Sequence, residues 1–151
     1  MIKILFICHG NICRSPMAEF VLKTITAQRG IAADFYIESA ATSSEEIGNP
    51  VYPPARQELS RHGISCAGKT ARRVTKRDYF QFDYLIVMES YNIRNLMRII
   101  EEDPEHKVYR LLDFTERPGD IDDPWYTGEF GVTYTEIVAG CEALLKYLGY
   151  E

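Results

Sequence analysis

The stretch Ile4-Leu5-Phe6-Ile7-Cys8 runs directly into His9-Gly10-Asn11-Ile12-Cys13-Arg14-Ser15-Pro16, and its reading decides the fold. A short apolar run followed at once by polar residues reads as a buried strand entering a loop. Gly10 and Asn11 are the residue types that most readily take left-handed backbone angles, so the chain can curl tightly between the strand and an arginine that opens a helix. A curled loop turns successive N–H groups inward and makes an anion-binding nest. The helix behind it adds the positive end of its dipole, and Pro16 suits the first turn, where no N–H is required.

Working outward, the spacing predicts strands over about Lys3–Ile7, Phe35–Ser39, Tyr84–Met88 and Lys107–Leu111. Met17, Val21 and Ile25, with Phe20 beside them, mark the buried stripe of a first helix. Pro54–Arg61 reads as a second helix, closed by His62-Gly63. A short helix near Thr75–Tyr79, a longer one over Tyr91–Ile100 and a last one over Val132–Tyr147 follow, the last with Ile137, Cys141, Leu144, Leu145 and Leu148 inward. Strands alternating with helices and apolar on both faces imply an α/β fold, a doubly wound parallel sheet covered on both sides. Such sheets bind ligands beyond the carboxyl ends of their strands, so the working loops should follow Ile7, Ser39, Met88 and Leu112.

The chain has 151 residues, enough for one domain over 1–151 with its own core and no need of a metal or disulfide staple. Its formal net charge of −5 argues against a protein that binds nucleic acid by neutralising phosphates. The apolar runs are far shorter than the ~20 residues of a membrane helix, and no signal peptide or lipidation pattern is apparent, which gives a cytoplasmic expectation. Cys8, Cys13, Cys66 and Cys141 are then expected as thiols, with Cys66 and Cys141 as small core residues. No C-x-x-C pair or histidine cluster suggests a metal site, and no cofactor is implied.

Cys8 sits at the floor of the predicted nest. Inward N–H dipoles, a helix N-terminus and a nearby arginine all favour a thiolate. Arg14 is the planar fork suited to two phosphate oxygens at once. Together they describe a thiolate nucleophile beneath a bound tetrahedral dianion. Such a nucleophile expels an alkoxide or phenolate, which needs a proton donor. The acidic segment Asp120-Ile121-Asp122-Asp123-Pro124-Trp125-Tyr126 offers three candidates, and spacing alone does not choose among them.

Cys8 through Pro16 resembles the signature loop of the low-molecular-weight protein tyrosine phosphatases. The resemblance extends along the chain through Glu38-Ser39-Ala40, Met88-Glu89 and Asp123-Pro124. It implies a flavodoxin-like three-layer sandwich with a four-stranded parallel sheet of order 2-1-3-4. It also implies hydrolysis of phosphotyrosine on protein substrates through a phosphocysteine intermediate, without metal. The acid becomes Asp123, aimed by Pro124, with Trp125 as an aromatic wall, Tyr126 beside it and Ile12 as an apolar lip. His9, Gly10, Asn11, Ile12, Cys13 and Ser15 would contact the substrate phosphate or support the loop. Ser39 would tie down Asn11, and Ser15 would donate its hydroxyl to Cys8, a helix N-cap being its plainer role. Cys13 is expected to trap an oxidised Cys8 as a disulfide.

Some relatives specialised for phosphoarginine carry Thr at the position of Ile12, so Ile12 tilts toward phosphotyrosine; an arginine phosphatase and a thioredoxin-coupled arsenate reductase are the rivals. Several relatives place an aromatic residue where this chain has Ser44-Glu45-Glu46-Ile47, and many carry a His where Lys69 stands. Lys69, Arg72, Arg73, Lys76 and Arg77 read as a solvated basic face, and the protein is expected to be monomeric and to bind neither nucleic acid nor membrane.

Overall fold

The computed structural model describes residues 1–151. Four parallel strands form one sheet in the order β2-β1-β3-β4: β1 Ile2–Cys8, β2 Phe35–Ala41, β3 Tyr84–Val87 and β4 Val108–Arg110. The central strand is β1, with Ile4 through Ile7 wholly buried. Its register sets Cys8 opposite Ala41 on one side, and Ile7 opposite Val87 on the other.

Successive side chains of a strand point to opposite faces, and β1 uses both. Ile4, Phe6 and Cys8 join one apolar core, while Leu5 and Ile7 join the other. The first core is covered by α1 (Arg14–Gln28), α2 (Pro53–Arg61) and α6 (Phe130–Tyr147). The second is covered by α3 (Lys76–Gln81) and α4 (Ser90–Ile100). Cys141 and Cys66 lie in the first core, as expected. At Gly140 a side chain would stand 2.5 Å from Leu111, just beyond β4, so glycine is what lets α6 approach that residue this closely. No helix is long and apolar enough to cross a membrane.

The elements sit where the hydrophobic pattern puts them, with differences at their ends. The second strand runs on to Ala41 rather than stopping at Ser39, because Ala40 and Ala41 pair with Ile7 and Cys8. The fourth is shorter than Lys107–Leu111, ending at Arg110 where a 3-10 turn over Leu111–Phe114 begins. The last helix starts earlier, at Phe130. Ile25 is only half-buried, while its neighbour Thr26 is buried. A short helix, α5 (Pro124–Thr127), was not foreseen; it is capped by the Asp123 side chain.

Candidate active site

The loop with the expected nucleophile leaves β1 at Cys8 and enters α1 at Arg14. Of the two residues suited to a left-handed turn, Asn11 carries it (φ 59) and Gly10 does not. One residue at positive φ suffices because Asn11 is held from every side. Its amide donates to Ser15 Oγ at 2.8 Å and to Ser39 Oγ at 2.9 Å, and its carbonyl accepts the Arg72 N–H at 3.2 Å. The expected Ser39 contact is thus present. Ser39 passes its own hydroxyl to Glu19 at 2.6 Å, and Lys69 Nζ reaches Glu19 at 3.3 Å and the Ser39 carbonyl at 2.8 Å.

Ser15 is not a helix N-cap: Cys13 holds that position, and Ser15 lies inside α1. With Asn11 donating to its oxygen, the Ser15 hydroxyl hydrogen is free to point at Cys8 Sγ, 3.0 Å away. The Ser15 N–H also approaches that sulfur at 3.4 Å. The N–H groups of His9, Gly10, Asn11, Ile12 and Cys13 donate to no acceptor within the protein. Five consecutive free donors in a loop whose Asn11, Ile12 and Cys13 are buried make the anion nest foreseen from the sequence.

Arg14 is 2 % exposed, and its guanidinium donates to Glu89 at 2.8 Å and to the Ile121 carbonyl at 2.8 Å. Asp123 Oδ2 lies 3.4 Å from the same guanidinium. Burial by itself would lower the arginine's pKa, but the charges of Cys8, Asp123 and Glu89 raise it above its ordinary value, so the side chain stays a cation. Burial pushes the Cys13 thiol well above the usual range, and the neighbouring Cys8 adds to this.

The three acidic candidates separate cleanly. Asp120 is engaged by the Ser90 N–H at 2.9 Å and by Arg110 at 3.1 Å. Asp122 is exposed and does not line the cleft. Asp123 lines it together with Cys8, Cys13 and Arg14. Its backbone is extended (φ −74, ψ 113), as a residue before proline should be. His9, Ile12, Glu45, Glu46, Trp125 and Tyr126 also line the cleft. The loop after β2 thus brings two glutamates to it and no aromatic ring.

The basic run is a solvated face only in part. Lys69 is packed against Glu19, where burial pulls its ammonium below its ordinary pKa while Glu19 opposes the shift. Arg72 makes a two-pronged bond to the buried Asp78, and Arg73 donates to the Thr42 carbonyl. Arg73, Lys76 and Arg77 are exposed and fit the solvated reading. Glu19, Glu89 and Tyr52 were missed as site-supporting residues. For Glu19 a signal existed: an acid on a helix face shared with Met17, Ala18, Val21 and Leu22 must have a buried partner.

A doubly wound sheet that gathers a cysteine, a buried arginine, free loop donors and a carboxylate at one strand end has the layout of a cysteine-dependent phosphatase. The family model described as "Low molecular weight phosphotyrosine protein phosphatase" matches residues 3–151. The chain is 40% identical over 153 residues to the low molecular weight protein-tyrosine-phosphatase YfkJ of Bacillus subtilis, covering 100% of this chain and 98% of that one. It is 36% identical to the human low molecular weight phosphotyrosine protein phosphatase, covering 95% and 94%. The crystal structure of YfkJ superposes with a TM-score of 0.95 at 39% identity, over 99% of this chain and 95% of that one. A Drosophila arginine phosphatase superposes with a TM-score of 0.90 at 29% identity, over 99% of each chain. The chain belongs to the low-molecular-weight phosphotyrosine protein phosphatase family.

Proposed function

We propose that this protein hydrolyses phosphotyrosine on protein substrates by way of a phosphocysteine, with Cys8 as nucleophile, Arg14 as phosphate fork and Asp123 as proton donor. One observation carries the assignment of roles: the five free N–H groups directly follow Cys8 in the loop, and Cys8, Arg14 and Asp123 line one cleft, with Asp123 3.4 Å from the Arg14 guanidinium. In the first step Cys8 Sγ bonds to phosphorus, the P–O bond to the phenol breaks, and the Asp123 carboxyl gives its proton to the departing oxygen. In the second step water attacks phosphorus, Asp123 takes the water's proton, and the S–P bond breaks to release phosphate. The Ser15 hydroxyl stabilises the thiolate that returns. Nest and guanidinium take up the equatorial charge, the electrostatic work that metals do in other phosphatases. Ile12 and the rings of Trp125 and Tyr126 receive the aryl group. We infer a single domain over 1–151 acting as a cytoplasmic monomer.

The test compares phosphotyrosine, phosphoserine and phosphoarginine peptides, with acid-quenched protein analysed by mass spectrometry. Phosphotyrosine should be preferred and one phosphate should be trapped on Cys8. Cys8→Ser should bring turnover to background yet still bind vanadate. Turnover without a phosphorylated Cys8 would remove the covalent mechanism, and a phosphoarginine preference would move the chain to the other substrate class.

A further inference from the structure

Trp125 is the sole tryptophan of the chain, and it serves as pocket wall while 51% exposed. A half-exposed indole two residues beyond the acid needs support on its far side if it is to hold one position. The loop after β2 does not supply it, because it brings Glu45 and Glu46 to the cleft and no ring. The support comes from the start of α2. The Tyr52 ring lies 4.6 Å from that of Trp125, centroid to centroid, at 45° between planes, and also packs on Phe130 at 6.1 Å.

Tyr52 is itself anchored. Pro53 and Pro54 open α2, and the residue before a proline is held extended, here at φ −56 and ψ 134. Its N–H donates to the Ile12 carbonyl at 2.8 Å, so the backbone carrying the ring is tied to the nucleophile loop. From Trp125 the path continues to the acid: the Trp125 N–H donates to Asp123 Oδ1 at 3.0 Å, and Asp123 Oδ2 faces Arg14. Tyr52 thereby closes a ring of contacts that runs from the nucleophile loop through the indole to the carboxylate and back to the guanidinium.

We propose that Tyr52 is a positioning residue that, by stacking on Trp125 from a backbone bonded to the nucleophile loop, sets Asp123 over the leaving oxygen and gives the pocket its preference for aryl phosphates. This rests on the phosphatase reading above. The effect acts through Trp125, not through contact with substrate, and the ring alone provides it.

The experiment uses Tyr52→Ala and Tyr52→Phe in the full chain, read by Trp125 fluorescence and by steady-state kinetics on a series of aryl phosphates. In Tyr52→Ala the emission should shift to the red and acrylamide should quench it more. Its kcat/KM should fall about 2- to 12-fold, the range an aromatic pair commonly supplies, with the larger losses on the more basic phenols. Activity on an alkyl phosphate peptide should change less, so the aryl preference narrows. Tyr52→Phe keeps the stack and should match the parent in every readout. A merely structural role would lower the melting temperature and reduce all substrates alike. Unchanged Trp125 emission and quenching in Tyr52→Ala, or a loss independent of the leaving group, overturns the proposal. Should Tyr52→Ala fail to fold, Tyr52→Leu fills the space without the stack and is held to the same outcomes. Failure of the parent protein to cleave any aryl phosphate would defeat the phosphatase reading instead, while the fluorescence arm still decides the stack.

Discussion

The nucleophile loop and the acid loop meet at Arg14 but are built on opposite plans. In the first, Cys8, Asn11, Arg14 and Ser15 are all 3 % exposed or less, and Asn11 and Ser15 are locked by side-chain hydrogen bonds. In the second, Asp123 is a quarter exposed, Trp125 half exposed and Tyr126 84% exposed. The proposed mechanism accounts for the difference by what it asks of each loop. Donors that stabilise developing charge work best when fixed and dry, since they then need no reorganisation during the reaction. A group that gives a proton to the substrate and takes one from water must remain reachable by both. Rigidity at one loop and access at the other is therefore a division of labour within a single cleft.

The sharpest way to break this comparison is to loosen the rigid side. Arg14→Lys keeps the charge but loses the fork and its three-way hold by Glu89, Ile121 and Asp123. The kcat should fall by about 10²–10³-fold, the cost typical of one lost transition-state donor. A loss of only a few-fold would mean that the guanidinium geometry is not what the buried contacts preserve.

Changing the accessible side should cost less, and in a different pattern. Asp123→Ala should slow phenyl phosphates by about 10²-fold, with progressively smaller losses as the leaving phenol becomes more acidic. Asp120→Ala and Asp122→Ala should leave that leaving-group slope as in the parent. A steeper slope in either of them would reassign the acid.

A third variant tests whether the rigid loop also protects its own thiolate. Cys13 shares the cleft with Cys8, and both are buried thiols. Peroxide oxidation of Cys8 to the neutral sulfenic acid removes the negative charge that helps to hold the Cys13 thiol protonated. Condensation then releases water and leaves a disulfide. Cys13→Ser, a nearly isosteric change at a buried position, should retain most of the activity yet lose recovery by dithiothreitol after brief peroxide. Equal recovery in both proteins, or no Cys8–Cys13 link by mass spectrometry, would reject the protective role.

The smallest effect is expected in acid. Asp120 hooks the acid loop to Ser90 and Arg110; burial alone would raise its carboxyl, but hydrogen bonds from Ser90 and Arg110 hold it below the ordinary value. A carboxyl depressed in the folded state contributes stability above its unfolded pKa of about 3.9, and that contribution is lost as pH falls through the lower folded value. Lowering the pH through this window should therefore free the acid loop before the nucleophile loop. Hydrogen exchange should show protection falling near Ser90 ahead of any change around Asn11. Simultaneous loss at both loops would mean that they form one cooperative unit.

Much of this protein is decided within its sequence. The apolar run into Cys8 can only be a central strand, since a segment buried on both faces has no surface to offer water. The period-2 alternation along it places Cys8 on the α1 side, and the residues from Gly10 to Arg14 supply the turn and the cation locally. The Asp123-Pro124 pair likewise carries its extended backbone in its own chemistry.

Tertiary structure decided what depends on partners far along the chain. Lys69 looked like part of a solvated face because its partners are distant: it bonds to Glu19, 50 positions earlier, and to the Ser39 carbonyl, 30 positions earlier. The choice among Asp120, Asp122 and Asp123 was open for the same reason, since only the return of Ile121 and Asp123 to Arg14 sorts them. Tyr52 beneath Trp125 is the plainest instance. Nothing in either residue's neighbours signals the other, and the stack forms only because α2 and α5 arrive at the same edge of the cleft. Local backbone preference is written in adjacent residues, whereas a side chain's partner is settled by how separate elements pack.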